Sequence, residues 1–166
     1  CQLIDYCSMP IDQVSAFNLG DWVGRETGVS DWAEIDQSRI SAFADCTNDF
    51  QFIHLDAERA SSEAGFEGTI AHGFLIASML PSFAYEACLA IENAKVSINY
   101  GFDKLRFIQP VPSGASVRAR FWLAEAVERH SAQWLLTYDV HVEIKGVEKP
   151  ALAARWLTLH MLGDSN

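Results

Sequence analysis

The period of the hydrophobic positions changes once along the chain, near Lys95, dividing a helical first half from a strand-rich second half. Ile40, Phe43 and Ala44 recur at helical spacing behind Asp36, which stands where an N-cap belongs. The pattern therefore predicts a helix over 37–46 that buries Ile40 and Phe43 and ends just before Asn48-Asp49. Asp56 is placed to cap a second short helix, Ala57–Ala64, which Gly65 terminates. From Gly73 the chain is apolar nearly all round, through Leu80 and past Pro81 to Cys88, so a central helix over 73–91, buried on most faces, is expected. Upstream, Val29, Trp32 and Ile35 suggest strand after a turn region at 17–24, and residues 1–15, with no clear period, are expected to form a loosely ordered arm. Beyond Lys95, Val96/Ile98/Tyr100 and Leu105/Phe107 alternate, Pro110 to Gly114 breaks the chain, and 116–127, 133–143 and 151–160 are rich in β-branched and aromatic residues. With turns at His130-Ser131 and Lys145-Gly146, this order predicts an α+β domain with an antiparallel sheet.

Length and composition narrow the picture without changing it. The 166 residues suit one domain spanning 1–166, and 49% hydrophobic with 20% charged residues is an ordered, ordinary composition. A net charge of −10 argues against nucleic acid or an anionic membrane as the main partner. Cys1, Cys7, Cys46 and Cys88 form no CxxC pair and no framework spacing, so reduced thiols in a cytoplasmic protein are expected. Pro81 and Glu86 rule the 73–91 helix out as a membrane span. No Cys/His spacing supports a metal, and no Gly-rich phosphate motif or nucleophile elbow is present, so no metal and no cofactor are expected.

Two positions carry candidate chemistry. Asp49 and His54 lie five residues apart on a stretch that reads as irregular, bracketed by Phe50, Phe52 and Ile53. Partial desolvation there would raise the carboxylate toward the range of a general acid or base. The imidazole titrates near neutrality unaided, and the two together could hold and activate one water. Taken alone, the pair reads more readily as a turn-forming Asp and a structural, hydrogen-bonded His. Gly73 opens the buried helix, where backbone N–H groups lack intrahelical partners and a substrate oxygen can approach closely; close packing is the alternative use of that glycine.

Asp49 with Phe50-Gln51-Phe52-Ile53-His54, followed by Thr69-Ile70-Ala71-His72-Gly73-Phe74-Leu75, resembles the signature of the MaoC-like dehydratases, which include the (R)-specific enoyl-CoA hydratases. The wording most resembles the branch typified by the nodulation protein NodN. The resemblance implies a hot-dog fold, a long central helix wrapped by an antiparallel sheet, paired into a homodimer. It implies that Asp49 and His54 bind the water that adds across the α,β double bond of an acyl thioester, giving the 3-hydroxyacyl thioester or running in reverse. It makes the Gly73 N–H the oxyanion donor; His72, flanked by Ala71 and Gly73, reads as a structural residue in a supporting role rather than a catalyst. The carrier, coenzyme A or acyl-carrier protein, is part of the substrate. A serine that assists the Asp in these hydratases falls, by ungapped count, on Pro81; Ser78, one turn earlier, is the remaining candidate. The usual motif has Gly before the Asp and Asn-Pro before the last apolar residue and His; this chain has Asn48 and Gln51-Phe52. Lys104 and Arg106 are read as a solvated strand edge, with a coenzyme A phosphate contact as the alternative. Two other functions compete: a hot-dog thioesterase, and a protein that binds acyl thioesters without turnover.

Overall fold

The computed structural model describes residues 13–163. The chain enters through a two-residue strand, β1 (Gln13–Val14), and a 3₁₀ turn over Ala16–Trp22 whose Leu19 is fully buried. Strands β2 (Glu26–Val29) and β3 (Ala33–Ile35) follow. Helix α1 (Gln37–Thr47) starts as predicted, with the Asp36 carboxylate accepting from the Arg39 N–H at 2.8 Å, and runs one residue past its expected end. After one helical turn, α2 (Phe52–Leu55), Asp56 caps α3 (Ala57–Ala64) and Gly65 ends it in the left-handed region at φ 74°, both as expected from sequence.

The predicted central helix is two helices, α4 (Gly73–Ser78) and α5 (Leu80–Ala87), meeting at Met79. Pro81 sits in the first turn of α5, where a missing N–H costs nothing. The helical run stops at Ala87, four residues short of the expected end, because Ala90–Ile91 forms β4 and pairs in parallel with β1. That pairing docks Val14 in the core, so residues 13–15 are not a loose arm; the rest of the expected arm, 1–12, lies outside the described residues.

Four long strands complete the fold: β5 (Ala94–Phe107), β6 (Ala115–His130), β7 (Gln133–Ile144) and β8 (Leu152–Leu162). The sheet is antiparallel in the order β2-β6-β7-β8-β5, with β3 also on β6. The period-2 pattern puts Val117, Ala119, Phe121 and Leu123 of β6, Leu136, Tyr138 and Val140 of β7, and Ala154 and Trp156 of β8 on one inner face. Leu75, Ile76, Leu80 and Phe83 of α4 and α5 belong to the same core. A Cβ on Gly28 of β2 would lie 2.7 Å from the Ala87 carbonyl, so only glycine lets that strand meet the end of α5. The helix is thus held across a curved antiparallel sheet, the hot-dog arrangement.

Edge strand β5 keeps its alternating apolar residues exposed: Val96 47%, Ile98 41%, Tyr100 52%. Its neighbour β8 carries His160, whose ring nitrogens contact the Ser97 hydroxyl at 2.9 Å and the Thr158 hydroxyl at 2.8 Å. Burial holds that imidazole down at about 4. Between pH 6.5 and about 4 the unfolded chain therefore binds a proton that the folded chain refuses, so stability falls as pH is lowered through that window. His160→Gln should flatten the fall, recovering up to about 3 kcal/mol near pH 4, as read by denaturant melts at pH 7 and pH 4.5.

Candidate active site

The site is assembled from the end of α1, the turn α2 and the start of α4. Helix α1 closes on Asn48 in the left-handed region at φ 57°, and the Asp49 N–H then bonds back to the Ala44 carbonyl at 3.2 Å. Asp49 is exposed as a residue, with a carboxylate oxygen within 4.8 Å of ring nitrogens of His54 and His72. The sequence led us to expect it partly desolvated; in the single chain it is exposed, because its apolar bracket fails to cover it and Phe50 is itself 55% exposed. Only Asn48 to Gln51 is irregular. The His54 end of the stretch is the helical turn α2, and His54 is buried, at 6% exposure.

The hydrogen bonds of His54 fix its chemistry. Its Nδ1 lies 2.7 Å from the Ile70 carbonyl, which can only accept, so Nδ1 carries the proton and Nε2 is left as the ring's open acceptor. Burial lowers its pKa, the Ile70 bond opposes that, His72 lowers it further and Asp49 pulls the other way; the balance is downward. His54 is therefore neutral at pH 7 with a lone pair on Nε2. The turn that carries it is anchored twice. The Ile70 N–H bonds the Ile53 carbonyl at 3.0 Å, and the Gln37 side-chain amide donates to the His54 carbonyl at 2.8 Å while accepting from the Thr69 hydroxyl. Gln37 was not singled out from sequence, since nothing local marks a helix-start glutamine as a tie between segments 17 and 32 residues away. Gln37→Leu should strand the His54 carbonyl and the Thr69 hydroxyl in a part-buried site, costing about 1–3 kcal/mol in a denaturant melt.

His72 caps the start of α4 and is buried, at 3% exposure. Its Nε2 lies 3.0 Å from the Asp49 carbonyl, and its ring stacks on His54 with centroids 3.7 Å apart and planes 25° from parallel. Gly73 and His54 line one cavity of about 290 Å³, closed by Ile53, Ile76, Phe107 and Val111. A Cβ on Gly73 would come within 2.9 Å of the Phe107 ring, so the glycine serves close packing as well as access. Ser78 is exposed and gives its hydroxyl to the Leu75 carbonyl of its own helix at 2.7 Å; nothing in the structure brings it to Asp49. Lys104 and Arg106 are exposed on β5, in keeping with a solvated edge, and neither lines this cavity.

Among the described residues, Asp49, His54 and His72 each bring one possible ligand atom within 4.8 Å of the other two. Nδ1 of His54 and Nε2 of His72 are committed to backbone carbonyls, which leaves one nitrogen on each ring as an acceptor.

The family model for the MaoC-like domain matches residues 19–143. The chain belongs to that family. MaoC-like relatives cover most of it. Nodulation protein N of Rhizobium leguminosarum bv. viciae is 42% identical over 147 residues, 89% of this chain and 91% of the relative. The 3-hydroxyacyl-thioester dehydratase Z of Mycobacterium tuberculosis is 39% identical over 140 residues, 84% of this chain and 91% of the relative. Among solved structures, the (R)-hydratase from A. caviae involved in PHA biosynthesis superposes with a TM-score of 0.63 at 26% identity, covering 81% of this chain and 96% of that one. A MaoC-like dehydratase from Rhodospirillum rubrum gives 0.71 at 18% identity, with 86% and 94% covered.

Two of the three departures from the usual MaoC-like motif, Asn48 and Phe52, have a local explanation; Gln51 has none in the structure. The backbone ahead of the Asp is left-handed, which glycine adopts freely and asparagine tolerates best among other residues, so Asn48 fills the place. The usual proline position is the first residue of α2, where no N–H donor is needed. Phe52 fits there too, and its ring takes the Arg59 guanidinium over its face at 4.3 Å.

Proposed function

We propose that this protein adds water to a trans-2-enoyl thioester to give the 3-hydroxyacyl thioester, or catalyses the reverse dehydration, as a hydro-lyase. The observation that carries the reading is the neutral, Nε2-open His54, three positions beyond the exposed end of the Asp49 loop and lining one cavity with the Gly73 N–H. A water held between Nε2 and the Asp49 carboxylate loses a proton to that pair as its oxygen bonds to the β carbon. The π electrons move onto the thioester oxygen, and the Gly73 N–H, free of an intrahelical partner at the helix start, stabilises the enolate. The pair returns a proton to the α carbon. No redox or group-transfer step arises, so the carrier, coenzyme A or acyl-carrier protein, is all the chemistry asks for.

The reading includes a homodimer joined along β5. A 14-residue edge strand with exposed Val96, Ile98, Tyr100 and Phe102 is the kind of surface that a second strand covers, and covering it would also shield the neighbourhood of Phe107. Ile98→Lys should then shift the protein toward monomer in sedimentation velocity runs. A cytoplasmic location belongs to the same reading, with Cys46 and Cys88 free thiols and burial pushing Cys88 far above the thiolate range. Among the described residues no helix is long and apolar enough to cross a membrane.

The decisive experiment follows the enoyl-thioester absorbance with crotonyl-CoA, a longer enoyl-CoA and a carrier-bound enoyl group. Loss of the band in wild type, abolished in Asp49→Asn and His54→Ala, is expected. Release of free thiol instead would identify a thioesterase, and binding of all three without reaction would sink the hydratase reading.

A further inference from the structure

We propose that His72 is a positioning residue, which acts through its Nε2–H donor to hold the water-binding carboxylate in register with the oxyanion donor. The inference rests on the function proposed above and assigns that site a part the sequence does not reveal. From sequence His72 has only a supporting role beside Gly73, and like Asp49 it is not on the walls of the 290 Å³ cavity that His54 and Gly73 share. Its side chain reaches the backbone of Asp49, 23 positions earlier, and a ring nitrogen lies within 4.8 Å of His54 and of the Asp49 carboxylate.

The direction of that contact is fixed by chemistry. A carbonyl accepts, so Nε2 of His72 must carry the proton it gives to Asp49 at 3.0 Å. The other nitrogen, Nδ1, is buried with no hydrogen-bond partner among the described residues. The Nε2–H donor of His72 therefore faces Asp49, while the ring lies stacked on His54.

What this accomplishes is a matter of connectivity. The Asp49 peptide is held on its N–H side by Ala44 of α1 and on its carbonyl side by His72. His72 is also the N-cap of α4, and its own carboxyl-side peptide carries the Gly73 N–H. One residue thus links the group that holds the water to the group that receives the negative charge, and the same ring, stacked on His54, sets the plane of the base. An addition in which water attacks one carbon while charge collects on an oxygen three bonds away depends on that spacing, and displacements near 1 Å at such sites cost about 10²-fold in rate.

The test compares His72→Phe with His72→Gln. Phenylalanine keeps a flat ring against His54 and removes the buried orphan nitrogen, but has no donor. Glutamine places an amide N–H near the position of Nε2. We expect kcat to fall roughly 10²-fold in His72→Phe with KM within about threefold and no loss of thermal stability, and His72→Gln to recover kcat to within about tenfold of wild type. Independently, long-range ¹⁵N–¹H spectra of neutral wild-type His72 should show the proton on Nε2 and an unprotonated Nδ1. A wild-type kcat in His72→Phe, a kcat in His72→Gln no better than in His72→Phe, or an Nδ1–H tautomer overturns the proposal. If wild type turns over none of the thioesters tested, the functional reading has failed on its own, and the tautomer spectrum alone then decides whether the clamp on Asp49 exists.

Discussion

Asp49→Asn is expected to lower kcat for enoyl-thioester hydration by about 10³-fold while leaving the melting temperature within a degree or two of wild type, since general acid–base groups contribute about 10²–10⁴-fold. The substitution is close to isosteric. It leaves the Ala44 and His72 anchors on the Asp49 backbone in place and changes only the carboxylate of an exposed residue to an amide. The amide cannot take the water's proton, and half of its polar surface donates where the carboxylate accepted. His54→Asn is the matching change on the other side. Its side-chain N–H stands where Nδ1 stood and can still meet the Ile70 carbonyl, but it has nothing in place of Nε2. A loss comparable with that of Asp49→Asn is expected, and because both groups serve one water, the double variant should be little worse than either single one. The pH profile gives a further check. Protonation closes Nε2, and burial lowers the pKa at which that happens, so the acid limb of kcat/KM in wild type should fall below the ordinary imidazole value of 6.5.

Phe121→Ala should cost about 3–5 kcal/mol, measured as a shift in the denaturant midpoint with unchanged slope. Phe121 is fully buried at the middle of β6, and its ring meets Tyr138 edge-on at 6.2 Å and Trp156 at the same distance. These three aromatics come from three adjacent strands and share the core with Phe83 of α5. Truncation removes both the buried area and the ring contacts on either side, and the rigid neighbours can close only part of the gap. A loss of that size is a large share of the 5–15 kcal/mol that holds a typical domain together, so the variant should also express poorly at 37 °C. Phe121→Leu, which keeps most of the volume, should lose much less.

The candidate site was only half legible before the structure. Asp49 and His54 stood out because a carboxylate and an imidazole close together, with an apolar run and a helix-opening glycine downstream, are rare enough to notice and matched a known signature. Their environment was read wrongly in one respect: Phe50 and Phe52 follow Asp49 in sequence, but they do not cover it, and both Asp49 and Phe50 are exposed. Ser78 looked available by helical count, yet its hydroxyl is spent on its own helix.

What the sequence determined by itself is whatever is decided within three or four residues. The caps at Asp36 and Asp56, the stop at Gly65 and the alternation along β6, β7 and β8 were all readable, since a side chain reaching its own helix start or a period-2 strand face needs no distant partner. The end of the central helix was not, because its last predicted turn is drawn instead into pairing with Gln13–Val14 at the far end of the described chain. Nor were the tie from Gln37 to His54 and Thr69, the bond from His54 to Ile70, or the reach of His72 to Asp49, which join positions 17, 32, 16 and 23 residues apart. Those contacts exist only once α1, α2 and the start of α4 are packed against one sheet, and the energy that packs them comes from the core beneath, not from the polar groups that meet above it.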